Sequence, residues 1–367
     1  MAAKVSFWLL FCLFLKKIIA MRYCIPILLL LIIIGCADQK ETKPFVSVHV
    51  EPLFEDSLSI RAIELMDNSL AFGANKGVFG SIDLNTKQVR TNMLKQDSIL
   101  PEFRAVAHTA TDFFMLSVGS PALLYKTGDN GMELVYKEEG EGVFYDAMTF
   151  WNDNEGIAIG DSVDGCLSII ITRDGGLSWN KITCTELPGA VDGAVDGEGA
   201  FAASNTNIKT IGEKAWVATT SGRIYFSGDK GKTWEVFKTP IQNREVAQGI
   251  YSLDFYNESL GIAIGGDYTK PEGNFANKAI TLDGGKSWSL LADGQEPNYK
   301  SCVRFVPNSG GSGVVAAGFT GISYSSNQGE NWSKLSDESF YTVRFLNDSI
   351  AYAAGKNRIA KLVFKTK

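Results

Sequence analysis

Beyond residue 43 the apolar positions come in short runs, and nowhere at the spacing of a helix face. Seven runs end in small residues: "SLAFGA", "FFMLSVG", "GIAIG", "AWVAT", "GIAIGG", "VVAAG" and "AYAAG". Each follows another short strand pattern, such as "RAIEL", "DAMTF", "SLDFY" or "TVRFL". The repeat predicts a unit of four strands, with strand B the small-ended one and strand A the one before it. Between strands C and D lies a polar box, "ITRDGGLSW", "FSGDKGKTW", "ITLDGGKSW" and the weaker "YSSNQGENW".

The boxes centre on Asp174, Asp229, Asp283 and Asn327, with a decayed one at Asp129 and a trace of another at Asp83; from Asp129 onward the spacings are 45, 55, 54 and 44 residues. That is the length of one blade of a β-propeller with variable loops. The aspartate is expected to accept hydrogen bonds from amides of its own turn. The glycine supplies a backbone conformation other residues resist. Trp179, Trp234, Trp288 and Trp332 are expected to fold back as apolar filling. These residues are read as structural, not catalytic. The last unit lacks its outer strand, and "PFVSVHV" at residues 44–50 is an alternating strand with no unit of its own. The pattern predicts an all-β, seven-bladed propeller over residues 44–367, closed by its N-terminal strand. Six blades is the alternative count.

The first residues read as an address. Residues 1–20 look like an extension from a start placed too early, with Met21 the working start. Residues 21–35 carry Arg22, then the apolar run Ile25–Ile34, and have the form of a signal peptide before Cys36. Ile33-Ile34-Gly35-Cys36 resembles a lipobox, which implies a lipidated Cys36 and a polar tether over 36–43. An uncleaved anchor is the alternative, although the run is short for a span. The expected location is a bacterial cell envelope, lipid-anchored, facing the periplasm or the exterior. In that compartment Cys166 and Cys184, which flank one box, could form a disulfide or stay as two buried thiols. Cys302 is expected to be an inert core thiol.

Composition narrows the chemistry. Removing residues 1–35 takes away four cations and no acid, so the net charge moves from -6 to -10. That argues against a nucleic-acid partner. With only His49 and His108 in the chain, histidine-based metal sites and Ser-His or Cys-His catalysis have little to build on. No G-x-G-x-x-G follows a strand, and no C-x-x-C pair or haem-attachment motif occurs, so no cofactor is expected. "DSVDG" and "DGAVDGEG" lack the spacing of a calcium loop, and no metal site is assigned.

The boxes resemble the Asp-box, or BNR, repeat of bacterial sialidases and of many non-enzymatic propellers. Five ordered stretches carry a closer resemblance: "SIRAIEL", "YDAMTFWNDNEGIAIGD", "GEGAFAAS", "GIAIGGDYTKPEGNFANKAITLDGGKSW" and "NRIAKLV". Together they are similar to the photosystem II stability/assembly factor-like proteins of non-photosynthetic bacteria. That resemblance implies a secreted or lipid-anchored propeller; fold carries over from such a likeness, photosynthetic function does not.

In a propeller the starts of the A strands and the ends of the B strands converge on one end of the central channel. The A starts are read as Arg61, Arg104, Asp146, a polar position near Thr206, Tyr251, Ser301 and Tyr341. The B ends add Asp161 and the pair Asp267-Tyr268, and "DGEGAF" adds Glu198. Paired arginines suit carboxylate or phosphate groups through their planar donor forks. The plainer alternative has Arg61 and Arg104 bracing blades by pairing with Asp146 and its neighbours. The expected function is a non-catalytic envelope scaffold that binds a protein partner or an anionic ligand through this arginine-containing face. The alternative is a sialidase-like glycosidase or a glycan-binding module. Such an enzyme needs arginines, a tyrosine nucleophile with an acidic partner, and a carboxylic acid. Arg61, Arg104, Tyr251 or Tyr341, Asp146 and Glu198 supply those types, but "EFRAV" keeps only the aromatic-arginine pair of the sialidase "Y/F-R-I-P" stretch.

Overall fold

The computed structural model describes residues 43–187 and 197–367. The proposed signal peptide, Cys36 and most of the tether lie outside the described residues. Six sheets of four consecutive antiparallel strands follow one another along the chain. Their innermost strands are Ala62–Met66, Phe103–His108, Tyr145–Phe150, Ile208–Ile211, Gln248–Phe255 and Cys302–Phe305. The seventh sheet is made by Thr342–Phe345, by Ile350–Thr366 and by the N-terminal strand Phe45–Ser59. Ile350–Thr366 doubles back at Asn357, where φ is 67°, so it supplies two strands of that blade. Phe45 pairs with Thr366 and Glu55 with Arg358, which closes the ring with the first strand of the fold, as the unpaired "PFVSVHV" predicts.

Each of the seven blade interfaces holds its own apolar layer. Phe103, Val106 and Met115 pack on Ala62 and Ala71 between blades one and two, for example, and Ile63 and Phe72 pack on Tyr352 and Ile359 where the ring closes. Sheet-on-sheet burial of this kind is the main favourable term.

The boxes form the C–D turns. Asp229 accepts from the Thr233 amide at 2.8 Å and its hydroxyl at 2.7 Å, while Ser227 Oγ accepts the Gly231 amide at 2.7 Å. Asp174, Asp283 and Asn327 repeat the scheme with Ser178, Ser287 and Asn331. These bonds hold the Asp174 and Asp229 carboxyls below the ordinary range, and Asp283 is lowered to about 2. Gly231 has φ 79°, and a Cβ there would meet Ile171 Cδ1 at 2.7 Å. Trp234, Trp288 and Trp332 each donate Nε1–H back to the glycine carbonyl of their own turn, at 3.2, 2.9 and 2.7 Å. Trp179 is buried in the same place without such a bond. Asp229→Ala is therefore expected to cost about 1–2 kcal/mol in urea denaturation and to leave ligand binding untouched; an unchanged midpoint would remove the turn-forming role. Cys166 and Cys184 are disulfide-bonded with their Cα atoms 5.5 Å apart, and Cys302 is a buried free thiol.

Candidate functional site

The central channel does not run through the ring. Residues 201–207, just before strand Ile208–Ile211, enter it and bond to the inner strands of five other blades. Asn205 donates to the Val106 carbonyl at 2.7 Å and accepts from the Met148 amide at 2.9 Å. Ser204 Oγ donates to the Ser301 carbonyl at 2.6 Å, and Thr206 Oγ1 to Ser252 Oγ at 2.7 Å. Thr342 and Arg344 donate to the Ser204 and Asn205 carbonyls. Ser204, Asn205, Thr206 and Asn207 are all buried. Their polar side chains suit this place, because every inner strand offers the channel backbone groups in need of partners. Thr206 is thus part of a plug, and strand A of this blade begins two residues later.

Above the plug, at the end where the A strands start, lies a cavity of about 460 Å³. Phe201, Ala202 and Ala203 of the plug form its floor, and Arg61, Arg104, Tyr251, Tyr268, Tyr299, Phe319 and Tyr341 its walls. Tyr251 stacks on Phe201 with ring centroids 3.8 Å apart and meets Tyr299 edge-on at 4.9 Å. Tyr299 in turn packs on Phe319 at 5.1 Å. Tyr268 and Phe319 keep 53% and 38% of their surface exposed, so the aromatic wall continues to the rim.

The two arginines differ. Arg104 is held by Glu102, through Nε–H at 2.8 Å and Nη2 at 2.7 Å. Arg61 lies over the Tyr341 ring, 4.2 Å from its centroid, and makes no ion pair among the described residues. Its Nε is buried without a hydrogen-bond partner. Burial first, and then the Arg104 charge, push Arg61 below the usual arginine range, with Tyr341 and Tyr299 partly offsetting them. Two adjacent guanidinium groups with one nearby carboxylate leave the cavity short of negative charge.

Of the residues expected on this face, Arg61, Arg104, Tyr251, Tyr268 and Tyr341 meet in the cavity. The acids do not. Asp146 and Asp161 lie behind the plug floor, with Asp161 accepting from the Ala200 amide at 3.3 Å. Asp267 caps its own turn through Thr269, at 2.8 Å to the amide and 2.6 Å to the hydroxyl. Glu198 turns into blade four, where Arg223, Thr219 and Tyr225 all donate to it. Arg61 makes no bracing pair among the described residues, and Arg104 pairs with Glu102, two residues earlier in its own blade, rather than with Asp146 across to the next. Phe201, Tyr299 and Phe319 carry no sequence signal beyond being aromatic residues in loops.

A tyrosine in contact with a carboxylate beside the arginines would favour glycosidase chemistry. Tyr251 instead donates to the Ala247 carbonyl at 2.8 Å. The tyrosine–carboxylate contacts of Tyr145 with Glu138, between blades two and three, and of Tyr225 with Glu198, in blade four, involve no residue that lines the cavity.

The far end of the channel carries a second charged group. Asp254 receives Lys209 at 2.8 Å and Arg304 at 3.4 Å, and Glu64 receives Arg344 at 3.0 Å. These ion pairs line a smaller cavity of about 320 Å³, in which each of the three cations has a carboxylate partner and Asp254 serves two of them.

No family model and no curated protein matches the chain. Solved structures do. The chain is similar to one described as YCF48 bound to D1 peptide, at 12% identity and a TM-score of 0.61 over 89% of this chain and 100% of that one. YCF48 from Cyanidioschyzon merolae aligns with a TM-score of 0.57 at 12% identity, over 87% of this chain and 98% of that one. The WD40 β-propeller domain of Doa1 aligns equally well, with a TM-score of 0.57 at 11% identity over the same shares. At such identities the likeness establishes the seven-bladed propeller fold alone.

Proposed function

We propose that this chain is a non-catalytic scaffold that captures an anionic segment of a protein partner in the arginine-aromatic cavity. Arg61 carries the reading. A guanidinium drawn out of water with no counter-ion is costly, and a cavity open beside it offers the place where a carboxylate would restore the balance. The stacked aromatic wall provides rigid area for the rest of the segment. The YCF48 structure described as bound to D1 peptide lends support by fold, since it is a propeller of this kind holding a peptide.

Lipid anchoring at Cys36 belongs to the same reading. The closing strand enters the ring at Phe45, at the end that carries the box turns, so a tether joins the fold opposite the cavity.

The test is a crosslinking pull-down from the native envelope, run with wild type and with Arg61→Ala/Arg104→Ala. Partners captured by the wild type would be confirmed with purified protein. The double variant is expected to weaken binding by at least about thirtyfold, the effect of losing one arginine hot spot of about 2 kcal/mol. Its melting temperature should stay within a few degrees of wild type, because Arg61 makes no ion pair to lose and the Arg104–Glu102 pair is partly exposed. Equal affinity of the two proteins for the captured partner would refute the reading.

A further inference from the structure

We propose that anion binding in the arginine-aromatic cavity is proton-linked, tightening as pH falls, through the paired carboxyl groups of Asp146 and Asp161 behind the plug floor. The inference rests on the binding reading above and concerns the regulation of that same site.

Asp146 is 0% exposed, and neither of its carboxyl oxygens has a hydrogen-bond partner. The Ala200 and Ala202 amides of the plug lie near it without reaching hydrogen-bond geometry. Asp161 sits on the neighbouring strand and touches the same stretch of plug. It accepts from the Ala200 amide, and a Cβ on Gly199 would fall 1.7 Å from its Oδ1, so the plug backbone packs directly on this carboxyl. The next residues of that backbone, Phe201 to Ala203, are the cavity floor. Among the described residues, the charged groups that act on the pair are Asp161 and, from blade two, Arg104, both on Asp146. Arg104 is itself a cavity wall.

Two carboxyls in such a place resist being charged together. Burial, and then Asp161, hold Asp146 well above the usual carboxylate range; burial raises Asp161 to about 6. When the pair is ionised it competes with an incoming anion for Arg104 and repels it through the thin floor. Protonation removes both effects. By reciprocity, an anion bound at Arg104 favours proton uptake by the pair. Among the described residues, Lys300 behind Tyr299 is lowered to about 8 and so titrates mostly above the pH 5.5–7.5 range, and Asp161→Asn separates its contribution from that of the pair. His108 lies at the opposite end of its strand and His49 on the outer closing strand, and neither lines the cavity.

The experiment uses the folded propeller and a fluorescein-labelled hexapeptide with three glutamates, in C-terminally amidated and free-acid forms. Fluorescence anisotropy from pH 5.5 to 7.5 is expected to show Kd falling about three- to tenfold toward acid, the reach of one linked proton. The two peptide forms separate side-chain from C-terminal carboxylates as the anion. Asp161→Asn, and Asp146→Asn where it folds, should hold Kd near the acidic value at every pH. A flat wild-type profile, or an Asp161→Asn variant that keeps the wild-type slope, would overturn the linkage while leaving the binding reading intact. Absence of probe binding at every pH would count against that binding reading. The pair is then read directly, by ¹³C-carboxyl NMR of aspartate-labelled protein: a midpoint near 6 for Asp161 is expected, and midpoints near 4 for both groups would overturn the inference.

Discussion

Asp254→Ala is expected to destabilise the propeller by about 3–5 kcal/mol, as measured by urea denaturation, the cost of breaking a buried ion pair from one side. Asp254 is buried at the far mouth of the channel, where it accepts from Lys209 at 2.8 Å, Arg304 at 3.4 Å and the Phe305 amide at 2.8 Å. Burial alone would push its carboxyl up; Lys209 and Arg304 outweigh that and hold it below the usual range. Truncation leaves the Arg304 charge buried, with an Nε that already lacks a partner. It also disconnects blades four, five and six at their innermost strands. Replacing Asp254 together with its more buried partner, as Asp254→Leu/Arg304→Met, should cost clearly less than the sum of the single changes, because the buried Arg304 charge goes with its carboxylate and the Lys209 left behind is 29% exposed. A loss below 1 kcal/mol in Asp254→Ala would show that the cluster is solvated and does not brace the channel.

The second large effect is one of pH. Thermal stability is expected to rise between about pH 8 and pH 10, although the protein is acidic and gains net charge over that range. Lys278 and Lys300 are 0% and 1% exposed, and neither has a carboxylate in contact. Lys278 Nζ donates to Asn277 Oδ1 and to the Gln295 and Pro297 carbonyls, Lys300 Nζ to Asn298 Oδ1 and Thr320 Oγ1. Desolvation lowers both ammonium groups to about 8. The unfolded chain, with lysines near 10.4, therefore binds more protons than the folded one across this window. Stability rises with pH wherever that holds, by up to about 2–3 kcal/mol per lysine. Above pH 10 the trend reverses. Buried Tyr145, Tyr225, Tyr251 and Tyr299 are pushed up by desolvation and stay protonated after the unfolded chain has ionised. Melting temperatures that fall steadily from pH 7.5 upward would contradict the account of the two lysines.

What could be read from residue order was what depends on near neighbours. Strand alternation, the small ends of the B strands and the chemistry of a turn such as Asp229–Thr233 are settled within a few residues. Seven such units leave one sensible closed form, and the spare strand at 44–50 shows how the ring shuts. The ends of A strands were legible for the same reason, which is why Arg61, Arg104, Tyr251 and Tyr341 were found together.

Whether a side chain at such an end points into the cavity, behind its floor or into a blade was not legible. Glu198 and Asp146 are both acids near the channel by sequence, yet one is bound by Arg223 inside blade four and the other lies unpartnered behind the plug. The plug itself, at 201–207, looks like an ordinary polar loop until the ring surrounds it, and its bonds reach residues 99 and 138 positions away. The same holds for Arg344 with Glu64, 280 positions apart. Local periodicity and turn chemistry act over one or two strands and leave their record in the sequence. Which charges meet in the channel depends on the radial closure of seven sheets, and that pairing is decided only when distant strands arrive at a common axis.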